Sequence, residues 1–157
     1  MLDRLYFSMF RIAVGIPLLV GGTDKILAML RGDTGLQDWL LGMFAEEPVP
    51  DWMVLLAGNL LPFLEFGTGF LVVFGIYPRI GATLGLLTFA MFLFGAELTH
   101  YVEGQIIEII QQMLFTIGFF LVAAYADHPD PLRLYPRRPV DAWTPGLTES
   151  TSQEAAR

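Results

Sequence analysis

Four apolar stretches, at about Leu5–Leu30, Trp52–Ile76, Ile80–Leu98 and Ile106–Tyr125, each come close to the roughly 20 residues a helix needs to cross about 30 Å of hydrocarbon. In that medium no water is at hand for the backbone N–H and C=O groups, so runs of this length must be helical. Composition points the same way: 54% of the 157 residues are hydrophobic, 16% are charged and the mean hydropathy is +0.55, above the apolar share of ordinary soluble domains. The predicted fold is all-α, an integral membrane four-helix bundle forming one domain over residues 1–127. No stretch outside the four runs is long enough to bury a separate soluble core. The first run carries Arg11, lacks a clean small-residue cleavage site and precedes three more spans, so it reads as a retained helix rather than a secretory signal.

The segments between the runs are patterned too. Leu36, Trp39, Leu40, Met43 and Phe44 recur at helical spacing behind Thr34-Gly-Leu-Gln37, a candidate capping box, which predicts a short amphipathic helix within Arg31–Asp51. Its polar face is acidic, which suits a lid over the outer end of the bundle better than an anchor to anionic lipid. After Tyr125 the chain turns proline-rich and then polar, so residues 128–157 are expected to be a largely disordered tail. If the N-terminus is cytoplasmic, Arg4, Arg79, Arg133, Arg137, Arg138 and Arg157 lie inside, against Lys25 and Arg31 outside. That bias predicts a cytoplasmic (inner) membrane protein with both termini in the cytoplasm.

Polar side chains within the runs mark candidate sites. Counted from the cytoplasmic ends at 1.5 Å per residue, Asn59, Glu97 and Glu108 come out near ~25 Å, Gln111 and Gln112 at ~20 Å, and Lys25 and His100 at ~30 Å. All four helices thus contribute to one polar chamber beneath the loop helix. By the same count Arg11 lies at ~9 Å and Glu65 at ~15 Å, close enough for a buried ion pair. Either charge alone would be costly in lipid. Arg11, Gly15, Gly22 and Lys25 share a face of the first helix, and Gly81-Ala-Thr-Leu-Gly85 offers a small-residue face on the third, both suited to close helix packing. Pro17 and Pro62 free backbone carbonyls inside the first two spans.

With these residues in view, "RIAVGIPLLVGGTDK" and "EFGTGFLVVFGIYPRIGA" resemble the DoxX/DoxD-like family of small four-helix membrane proteins, over about Leu5 to Asp127. The resemblance implies a four-helix membrane fold. It also implies a role beside redox enzymes, since the family includes the membrane subunit of a thiosulfate:quinone oxidoreductase and subunits serving the assembly of other redox enzymes. The long Arg31–Asp51 loop lies outside the resemblance.

The chemistry read from the residues is quinone binding. Glu97, His100 and Glu108 are the candidate proton-transferring groups, and Lys25, Asn59, Gln111 and Gln112 the candidate ligand-binding groups. Glu97-Leu-Thr-His100 is also an E-x-x-H spacing. A di-iron centre needs a second such motif, and the spans hold one histidine, so no metal is expected. Absence of cysteine excludes thiolate iron–sulfur ligation, and the chain is expected to carry no cofactor of its own. The functional expectation is therefore the membrane subunit of a quinone-linked oxidoreductase. The alternative is a non-catalytic anchor or assembly factor for a redox enzyme. The expected partners are the lipid bilayer, a redox-active protein and further copies of the chain in a homo-oligomer; a net charge of −7 argues against nucleic acid.

Overall fold

The computed structural model describes residues 2–99, 106–127, 131, 132 and 134. Among these residues the chain is helical with no strands: α1 (Leu2–Leu30), α2 (Gly35–Met43), α3 (Asp51–Phe74), α4 (Pro78–Leu98) and α5 (Ile106–Ala124). The four apolar runs become α1, α3, α4 and α5 to within a few residues at each end. By length and composition α1, α3 and α4 can each cross a membrane, whereas the apolar part of α5, Ile109–Ala124, is shorter.

Side-chain distribution fits a bilayer rather than water. Leu60, Phe63, Leu87, Phe94, Leu114, Ile117 and Phe120 all point outward, while the fully buried set includes Arg11, Thr68 and Thr88. That inversion of the usual arrangement leaves an apolar surface far larger than a soluble monomer tolerates.

Packing of α1 on α3 sets the frame. A Cβ added at Gly22 would lie 2.4 Å from the Phe66 backbone nitrogen, and one at Gly69 would lie 2.3 Å from that of Leu19, so the two backbones touch where glycine removes the side chain. Gly15 meets Val72 and Val73 in the same way. Gly81 and Gly85 on α4 receive Val72 of α3 and the Phe119 ring of α5, so the small-residue face is used within the chain. The resulting core is Val14, Leu18, Val72, Ala82, Phe89, Phe119 and Val122.

The ends of the helices are closed by specific devices. Gly75 ends α3 in the left-handed conformation, φ 63°, with its N–H donating to the Val72 carbonyl at 3.2 Å. Three residues on, Pro78 opens α4, where a missing N–H costs nothing. At α2 the capping box does not form. Thr34 makes no side-chain cap; its hydroxyl donates to Asp38 at 2.8 Å, and Gln37 instead turns inward. Gln37 and Leu40 pack over Gly58 of α3, and Phe44 reaches Gly95 of α4, so this segment covers one end of the bundle as a lid would.

The tail reading for residues 128–157 falls mostly outside the described residues. Where its start is described, it is tied down: the Leu134 N–H donates to the Phe74 carbonyl at 3.1 Å.

Candidate functional site

Helix register decides which charges within the apolar helices meet. Side chains lean toward the N-terminus of their own helix. Because α1 and α3 are antiparallel, Lys25 and Glu65 lean toward each other. The Lys25 Nζ donates to both oxygens of Glu65, at 2.6 and 2.7 Å. The carboxylate is 4% exposed and the lysine 36%, so the acid is sealed in and the base reaches the surface.

This pairing replaces the expected partnership of Arg11 with Glu65. Arg11 is fully buried at the far end of α3, where its guanidinium donates to the carbonyls of Val72, of Val73 at 2.6 Å and of Leu132 at 3.2 Å. A Cβ at Gly75 would come within 3.0 Å of the guanidinium carbon, so glycine is required here for space as well as for its positive φ. Carbonyls in the last turn of a helix lack intrahelical donors and carry the negative end of the dipole, which a buried cation satisfies. Glu65 lies about 11 Å farther along α3 from Val72.

The Lys25–Glu65 pair forms one wall of an open cavity of about 320 Å³ lined by residues of α1, α3, α4 and α5. Gln111 and Gln112 supply the remaining polar lining. Phe89, Phe92 and Phe115 form an aromatic wall, and Phe89 and Phe115 are stacked with centroids 5.6 Å apart. Pro17, Leu18 and Gly21 complete the α1 side. The Gln112 Oε1 is buried and has no hydrogen-bond partner among the described residues, an unusual state for an amide that a hydrogen-bonding ligand would relieve.

Of the residues expected in one polar chamber, the structure brings Lys25, Gln111 and Gln112 together and adds Glu65. Asn59 is elsewhere: it is exposed on α3, donates to the Leu55 carbonyl at 2.7 Å and accepts from Gln37 of α2 at 3.1 Å. Glu97 is exposed in the last turn of α4 and does not line the cavity. His100 lies outside the described residues, as does the side chain of Glu108, which is placed on α5 one turn before Gln111 and Gln112. The aromatic wall was not legible in the sequence, because Phe89, Phe92 and Phe115 sit in apolar runs where phenylalanine on a lipid-facing side reads the same.

Comparison with protein-family models, curated proteins and solved structures finds no match. The DoxX-like resemblance therefore rests on the quoted residues alone, and a functional reading has to come from the site.

Proposed function

We propose that this chain is the membrane subunit of a quinone-linked oxidoreductase complex and that the Lys25–Glu65 cavity takes the quinone head group. One observation carries the reading: a buried carboxylate held by a part-exposed ammonium stands beside a buried amide oxygen with no partner among the described residues, at the polar end of an aromatic-walled cavity. Its volume lies at the lower end of the range for small-molecule sites, suited to a single flat ring. Bound there, a quinol supplies two electrons and two protons.

The chain's own residues hold and move the protons. Lys25 can donate its third N–H to a ring oxygen while keeping the Glu65 carboxylate charged. Gln112 accepts from a ring hydroxyl through its free oxygen, and Glu65 is the group that takes the proton. Glu65 thus assumes the role expected of Glu97. Glu108, one turn before the two glutamines, serves as the second carboxylate. None of these side chains can carry electrons, so the complex includes a partner subunit with a redox centre. The same reading places the protein in a cytoplasmic membrane with both termini inside and the cavity in the outer half. Cysteines introduced at Gly35 and Thr148 should then label from outside at Gly35 only.

Glu65→Gln keeps size and hydrogen bonding while removing the proton site. In the reconstituted complex it should lower quinol turnover by about 10²–10⁴-fold, the usual effect of losing a general base. Wild-type turnover in that variant, with quinone still co-purifying after Lys25→Met, would assign the cavity a structural role and leave the chain an anchor or assembly factor.

A further inference from the structure

A second cavity lies on the same helix seam. Tyr6, Phe7 and Phe10 of α1, Leu121 of α5 and Tyr125 just after it line an apolar groove of about 390 Å³. The two helices are antiparallel, with Phe7 and Tyr125 in ring contact at one end and Val14 packed on Gly118 in the middle. At the other end α1 and α5 part to form the Lys25–Glu65 cavity.

Helical spacing puts both cavities on one line. On α1, Phe7, Val14, Leu18, Gly21 and Lys25 follow at steps of seven, four, three and four residues; on α5, Gln111, Phe115, Gly118 and Leu121 follow at four, three and three, with Tyr125 four residues on, just past the helix end. Each series stays on a single helix face. From Leu18 at the floor of the polar cavity to Phe10 in the groove is about 12 Å along α1. Between them the seam narrows, because Gly118 lets Val14 sit directly against the α5 backbone.

Resting on the reading of the polar cavity as a quinone site, we infer that the α1–α5 seam is the berth of the prenyl tail. The ligand class of this protein is then a long-tailed lipid quinone rather than any small quinone. The head group occupies the polar end, and the tail crosses the outer edge of the Val14–Gly118 contact and settles among Tyr6, Phe10, Leu121 and Tyr125. Two features favour a tail over a separate ligand. The groove is almost wholly apolar and so cannot orient a polar molecule. It also lies on the same α1–α5 seam as the polar cavity, about 12 Å away along α1.

The test is equilibrium binding to the full chain in lipid nanodiscs. Three quinol analogues are compared: one without a tail, one with a prenyl tail too short to pass Val14, and one long enough to reach Phe10. Two variants alter the groove alone, Phe10→Ala with Tyr125→Ala to empty it and Leu121→Trp to fill it. Partition of each analogue into the disc is common to all proteins and cancels between them. In the wild type, the long tail should tighten binding by at least about tenfold more than in either variant, which requires burying only two or so methylene groups. The tail-less analogue should bind all three proteins alike. An equal gain from the long tail in every protein would overturn the inference, as would variants that lose co-purifying phospholipid with the quinol series unchanged, since the groove would then hold acyl chains. If the tail-less analogue fails to bind the wild type, the quinone reading itself falls and the tail with it.

Discussion

Two cations stand on α1, Arg11 and Lys25, and their surroundings differ in every respect that matters. Arg11 is fully enclosed, and its guanidinium donates to backbone carbonyls in the last turn of α3. Lys25 is a third exposed, is matched to one side-chain carboxylate, and borders a space large enough for a ligand. Around Arg11 the guanidinium donates to three backbone carbonyls, groups that take up no protons. Lys25 has both an ionisable acceptor and a volume to serve. Intramembrane charge is thus a signal of purpose only after the kind of partner is known.

The largest expected effect is at the closed site. Arg11→Met takes the guanidinium donor from the Val72, Val73 and Leu132 carbonyls and removes a fully buried side chain. Each unsatisfied group costs about 1–3 kcal/mol, so a loss of about 3–5 kcal/mol is expected, read as denaturation in mild detergent. Quinol binding at the distant cavity should be unchanged in whatever fraction remains folded. A variant as stable as the wild type would show that the guanidinium is not what holds the end of α3 and the Leu132 segment together.

Lys25→Met comes next. It strips a sealed carboxylate of its counter-charge, which costs up to about 3–5 kcal/mol in a dry site. Because Lys25 reaches the surface and the cavity can admit water, about 2 kcal/mol is the expected loss here. Adding Glu65→Gln should recover much of it, and additive losses in the double-mutant cycle would mean that the two groups do not interact.

This pair also shows where sequence reading reaches its limit. The helices at the apolar runs, the loop helix and the glycine contacts were legible, because each depends on local period or on residue size. Partner choice was not. Measuring depth from the end of each run put Lys25 about 15 Å above Glu65, yet the two are bonded. The error lies in assuming that the helices start at one plane. Gly15 faces Val72, Leu19 faces Gly69 and Gly22 faces Phe66, a register that carries α1 past the end of α3 and sets Arg11 beside Gly75. Three small residues in contact fixed this offset, and no pattern along a single run reports contact between two. Gln37 misled in a similar way: its spacing suited a capping box, but burial over Gly58 and a bond to Asn59 outweighed an exposed cap.

A smaller effect separates the two demands placed on Gly75. Gly75→Ala must hold a left-handed φ, costing about 1–2 kcal/mol, and must also press its methyl against the Arg11 guanidinium. Combining Gly75→Ala with Arg11→Met removes the second demand and keeps the first. The double variant should therefore be less destabilised than the sum of the singles, by about 1 kcal/mol, the scale of a modest overpacking strain. Strict additivity would indicate that only the backbone conformation matters at Gly75.

The smallest change in stability should come from Gln112→Leu, and it bears most directly on the contrast between the two sites. A buried amide oxygen without a partner contributes nothing to the fold and carries its desolvation cost. Leucine fills nearly the same space and brings no polar atom, so stability should stay within about 0.5 kcal/mol of the wild type or rise. If the oxygen is kept for a ligand, the same variant should weaken quinol binding by roughly tenfold, the effect of losing one hydrogen bond of about 1.4 kcal/mol. The opposite pattern, a clear loss of stability with binding intact, would place Gln112 with Arg11 among the groups that hold the helices together. The polar cavity would then lose the feature that most distinguishes it from a satisfied core.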